Sequence, residues 1–90
     1  MTTIKKELQK VIKEIRCGEW FPKAMMTQQQ MAKKQATINC GGEYFSEKET
    51  METVNEVLTS QMFNDFLTKH GAKAEIEYGG RKKAQIRIHF

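Results

Sequence analysis

The side chains in this chain that could do chemistry are mostly cations. Arg81, Lys82 and Lys83 follow Gly79 and Gly80. Three adjacent positive charges on a glycine turn attract phosphate oxygens whatever the base sequence. Lys33-Lys34, after three glutamines, is a second such site. A third is Lys5, Lys6, Lys10, Lys13 and Arg16, opposed by Glu7 and Glu14. The expected phosphate contacts are Arg81, Lys82, Lys83 and Arg87, extended by Lys33, Lys34, Lys10 and Lys13. The plainer reading is that these are solvated turns and helix faces, and that lysines near an edge strand deter aggregation.

Trp20, Phe21, Met25 and Met26 surround Pro22. Exposed, that cluster would suit a protein partner, because methionine and aromatic side chains adapt well to interfaces. Buried, it would close one end of a core. Two histidines, His70 and His89, are the residue type for metal-free acid–base cleavage of RNA. His70 is equally well placed as a cation at a helix C-terminus, and His89 as an outward strand residue. Cys17 and Cys40 make no disulfide framework, and neither histidine stands at a finger-like spacing from them. Cys40 belongs to an apolar strand face. No catalytic residue, metal site or cofactor is expected.

Charge is segregated along the chain. Residues 1–34 carry a net charge of +5, residues 43–65 a net −5, and residues 66–90 a net +4. The whole is +4 at pH 7, which suits an anionic partner and says nothing of fold. With 39% apolar and 29% charged residues, the 90 residues are expected to form one globular domain. No apolar stretch is long enough for a bilayer. The first residues carry lysines and not an apolar leader core, so a cytoplasmic setting is expected.

These residues must be positioned by regular elements. Ile4, Leu8, Val11, Ile12 and Ile15 recur at helical spacing. After Pro22, a strand is expected near 23–29 and a turn near 31–34. Ala36, Ile38 and Cys40 alternate with Gln35, Thr37 and Asn39, the period of a half-buried strand. Ser46 to Glu49 is a capping box that opens a helix through Met51, Val54, Leu58, Met62 and Phe66, closed by Gly71. The last twenty residues read as a hairpin. A three-residue loop would pair Ile76 with Ala84, and a five-residue loop would pair Ile76 with Ile86 and Glu75 with Arg87. Tyr78 points inward by this pattern. The expectation is an α+β fold of order α-β-β-α-β-β, with two amphipathic helices on one face of a mostly antiparallel four-stranded sheet.

Functionally, a small non-enzymatic regulator that binds nucleic acid is expected. RNA is favoured over DNA, because no helix has the polar face of a groove reader. The alternative is a protein-binding inhibitor or antitoxin-like module anchored by the Trp20–Met26 cluster. Size and basicity suit accessory proteins of mobile elements or bacterial viruses. A metal-independent ribonuclease is the weakest reading. Self-pairing into a homodimer, through a sheet edge or the methionines, fits either of the first two.

Overall fold

The computed structural model describes residues 2–15, 22–42, 45–78 and 84–90. The elements run α1 (Thr2–Ile15), β1 (Lys23–Met25), α2 (Gln28–Ala32), β2 (Gln35–Asn39), α3 (Glu47–Thr59), α4 (Gln61–His70), β3 (Lys73–Tyr78) and β4 (Ala84–His89). The strands form one antiparallel sheet in the order β1-β2-β4-β3, so the chain is α+β. No helix is long and apolar enough to cross a membrane among the described residues.

The two periodicities decide which faces meet. Leu8, Val11 and Ile12 of α1 are buried, as the helical spacing requires. Ala36 and Ile38 of β2, Cys40 just past its end, and Ala84, Ile86 and Ile88 of β4 form the sheet face beneath the helices. The β2–β4 register sets Ile38 opposite Ile86 and Ala36 opposite Ile88, so the two strands face the helix layer with one continuous apolar floor.

Two local differences from the sequence reading have clear causes. Residues 28–32 are helical, and the strand expected over 23–29 stops at Met25. Thr27 caps this short helix: its hydroxyl accepts from the Gln30 N–H at 3.2 Å, and the Gln30 amide oxygen accepts from the Thr27 N–H at 2.9 Å. Gln30 then donates to Thr37 Oγ1 at 2.6 Å, which holds α2 against the sheet face turned away from the other helices. The second long helix breaks at Ser60, which is extended, with φ −67° and ψ 126°. Its hydroxyl accepts from the Phe63 N–H at 3.3 Å and restarts the helix in a new phase. Phe63 therefore enters the core, fully buried, while Met62 is 44% exposed. Burying that phenylalanine contributes about 1.5–3 kcal/mol.

The C-terminal hairpin adopts the five-residue-loop register, with Ile76 opposite Ile86, Glu75 opposite Arg87 and Tyr78 opposite Ala84. Alternation puts Ile76 and Tyr78 on the helix side of the sheet. They are nevertheless 37% and 69% exposed, because the helices pack over the inner strands and leave this end of β3 uncovered. The inward position expected for Tyr78 is corrected on that ground.

The turn after β2 depends on Gly41, which is buried against the first turn of α3. A Cβ there would fall onto the Oγ1 and Cγ2 atoms of Thr50. Gly41→Ala should cost about 1–3 kcal/mol in urea unfolding. In a Thr50→Ala background the same change should cost clearly less, since the clashing atoms are gone. Strict additivity of the two would refute the contact.

Candidate nucleic-acid interface

One end of the molecule collects cations from elements distant in sequence. The β2–β4 ladder continues past the strands, and the Phe90 N–H donates to the Lys34 carbonyl at 2.9 Å. Lys33 is the C-cap of α2, and Lys34 follows with φ 56°, in the left-handed region. Both lysine side chains are exposed. The Phe90 ring meets the rings of Phe66 and His70 edge-on, at 5.9 and 6.2 Å between centroids. This fixes the C-terminus of α4 at the same end. Glu7 reaches that terminus from α1, with its Oε1 2.9 Å from Lys69 Nζ and its Oε2 3.0 Å from His70 Nε2. Lys5 and Lys6, next to Glu7, therefore lie at this end too. Among the described residues no carboxylate pairs with Lys5, Lys6, Lys33 or Lys34.

The remaining expected contacts lie elsewhere. Lys10 and Lys13 are exposed farther along α1. Lys10 rims a groove between α1 and α4, walled by Val11, Met62 and Phe66 and edged by Asp65 and Lys69. Arg87 is already engaged: its Nε lies 2.8 Å from Glu77 Oε1, its Nη2 donates to Glu77 Oε2 at 3.1 Å, and its Nη1 donates to the Gln35 amide oxygen at 3.2 Å. A phosphate would have to displace that carboxylate. Arg81, Lys82 and Lys83 lie outside the described residues. The strands that flank them end at Tyr78 and Ala84, and the Cys40 N–H donates to the Ala84 carbonyl at 3.1 Å. That is the far end of β4 from Phe90, roughly 20 Å away at about 3.3 Å per residue. The Lys33–Lys34 turn is thus grouped with α1 and not with the strand ends that flank the hairpin loop.

The Trp20–Met26 cluster divides. Trp20 and Phe21 lie outside the described residues. Met26 is buried in the core, while Met25 is 40% exposed on the opposite sheet face, where the Asn39 side-chain amide donates to its sulfur at 3.0 Å.

The acid–base candidates do not converge. His89 sits on the sheet face turned away from α1, α3 and α4, with Nδ1 3.5 Å from the Gln35 amide nitrogen and Nε2 3.7 Å from Glu75. His70 packs on the other side, against Phe66 and Phe90. Cys40 is fully buried, and burial pushes its thiol up to about 12, away from nucleophilic use. Cys17 lies outside the described residues. No group of three or more His, Cys, Asp or Glu side chains that could hold a metal ion occurs among the described residues.

No protein-family model, curated protein or solved structure matches the chain. The reading of this end therefore rests on its geometry.

The clamp under the basic end has a pH signature. The hydrogen bond from Lys69, seconded by His70 and opposed by burial, holds the Glu7 carboxyl below its ordinary value of 4.5. A carboxyl depressed in the folded state stabilises fully above the unfolded value, and that contribution fades as pH falls through the folded one. Glu7→Gln should be less stable than the parent at neutral pH, by up to about 1 kcal/mol for so exposed a pair. The gap should close as the pH is lowered through the carboxylate range. A pH-independent gap would show that the Glu7 charge is not what matters.

Proposed function

We propose that this chain is a small non-enzymatic regulator that binds nucleic acid through backbone phosphates, RNA ahead of duplex DNA, with the Lys33–Lys34 turn as the centre of contact. The observation that carries the reading is the state of Lys34. A non-glycine residue in the left-handed region costs on the order of 1–2 kcal/mol, and glycine would sit there without that penalty. A lysine stands there instead, exposed, beside a second exposed lysine and without a carboxylate partner among the described residues. Left-handed backbone is common just past a helix C-cap, where Lys34 sits, and glycine is the usual residue there. The choice of lysine in place of glycine supports a contact role, since strained positions cluster at binding sites.

The surrounding geometry favours phosphate over base recognition. The cations come from a turn and from the early turns of a helix, so there is no protruding polar helix to enter a major groove. Beyond α2, the sheet face turned away from α1, α3 and α4 carries Gln35, Glu75, Glu77, Gln85, Arg87 and His89 in a polar array, with no aromatic ring for base stacking among these described residues. Lys5 and Lys6 extend the turn along one end of the molecule, and Lys10 and Lys13 continue along α1. Such a surface binds by releasing counterions, and its affinity is governed by salt.

Lys34→Gly separates fold from function. It should leave the unfolding midpoint unchanged or higher while weakening binding to a short single-stranded RNA. Lys33→Ala with Lys34→Gly should flatten the plot of log affinity against log salt by roughly 1.4, at about 0.7 per phosphate contact on a single strand. Parent-like affinity and slope in the double variant would remove the turn from the site. Absence of any binding by the parent at low salt would remove the reading altogether.

A further inference from the structure

The two edges of the sheet are treated differently. β1 is three residues long, and Pro22 immediately precedes it, so it offers little to another strand. β3 is six residues long and has no described strand on its outer side. Which of its backbone groups point outward follows from the ladder. Cys40 bonds to Ala84 and Phe90 to Lys34, so the even-numbered residues of β4 exchange hydrogen bonds with β2. The odd ones, Gln85, Arg87 and His89, therefore exchange with Glu77, Glu75 and Lys73. The N–H and C=O groups of Ala74, Ile76 and Tyr78 are left facing outward. The same three residues carry the side chains on the helix side of the sheet, where Ile76 and Tyr78 are exposed. An extended edge with unpaired backbone and apolar side chains is a template for another strand.

We infer that β3 pairs antiparallel with β3 of a second copy of this chain about a two-fold axis at Ala74, making one eight-stranded sheet. Charge selects both the partner and the register. With Ala74 opposite its own copy, Lys73 faces Glu75 of the partner subunit on both sides of the axis, giving two ion pairs and no like pair. Shifting the axis to Glu75 sets two carboxylates face to face, and its two Lys73–Glu77 pairs would use a carboxylate already engaged by Arg87. Shifting it to Ile76 sets Glu75 opposite Glu77 of the partner subunit twice. In the Ala74 register Ile76 lies beside Ala72 of the partner subunit. The Ala72 N–H is held by the Leu67 carbonyl at 2.8 Å, so the intersubunit bonds are those of the Ala74 pair and of the Ile76 N–H to the carbonyl of Ala72 of the partner subunit. The axis is perpendicular to the sheet, so both helix layers lie on one side and flank the exposed Ile76 and Tyr78 side chains of both copies. This pairing does not depend on nucleic-acid binding, and Lys33 and Lys34 take no part in it.

Sedimentation-velocity runs over a concentration series test it. The parent should dimerise, and Lys73→Glu and Glu75→Lys should each weaken the dimer roughly tenfold or more by turning two attractive pairs into repulsive ones. An equimolar mixture of the two variants should restore dimer at parent-like concentration, since each supplies the charge the other lacks. Ile76→Pro should be folded by circular dichroism and monomeric, because the amide it removes faces outward and not β4. A monomeric parent would overturn the inference. So would a dimer indifferent to these changes, or single variants that fail to recover when mixed. Lys33→Ala with Lys34→Gly should dimerise like the parent, which keeps the fate of this inference separate from that of the nucleic-acid reading.

Discussion

The pairing of β2 with β4 is the constraint on which the rest of the molecule depends. The two strands are separated by most of the chain's helix, and their contact closes the longest loop within the sheet, so it must be repaid by non-local packing. Ala36, Ile38 and Cys40 against Ile88, Ile86 and Ala84 supply that packing, and all six side chains are buried. Because side chains alternate with period two, a one-residue slip of β4 would turn Ala84, Ile86 and Ile88 outward and put Gln85, Arg87 and His89 into the core. The register is fixed by that penalty, and the positions of both chain segments beyond it are fixed in turn.

The surface chemistry follows from this one register. It brings the Phe90 amide to the Lys34 carbonyl, so the α2–β2 turn and the C-terminal residue share an end. His70 packs on Phe90 and is gripped by Glu7, which draws the N-terminal half of α1 to the same place. Lysines more than twenty residues apart in sequence are thereby tied to one end of the molecule through Phe90, His70 and Glu7. The same register decides which β3 amides are left over at the edge. The basic end and the free edge are thus two consequences of one hydrophobic pairing.

Much of this was legible in the residues. The apolar spacing of α1, the alternation of β2 and the hairpin, the Ser46 capping box and the core position of Cys40 are local patterns, and local patterns read directly. Both helix features that depart from the sequence expectation nevertheless have local signals in the residues. Thr27 followed three residues later by Gln30 has the same capping-box form as Ser46 and Glu49, but the run of glutamines gave no apolar period to draw attention to it. Ser60 is a cap residue in the middle of a stripe that stays tolerably apolar in one phase through Met62, so continuity hid the restart that buries Phe63. What was not legible was tertiary. Pattern places Tyr78 on the core side, but how far the helix layer extends over β3 depends on packing that no single segment encodes. Which lysines share an end likewise required the β2–β4 order, since nothing in the sequence links Lys5 and Lys6 to Lys33 and Lys34. The structure engages Arg87 with Glu77, a diagonal neighbour across the strands and not the residue opposite it.

The placement of the basic end is tested most directly by amide chemical-shift mapping with a short single-stranded RNA at low salt. The account predicts that the largest changes fall on Lys33, Lys34, Gln35 and Phe90, with smaller ones at Lys5 and Lys6. Changes centred instead on Asn39, Gly41 and Gln85, at the opposite end of the sheet, would contradict it, as would a spectrum that RNA leaves unmoved.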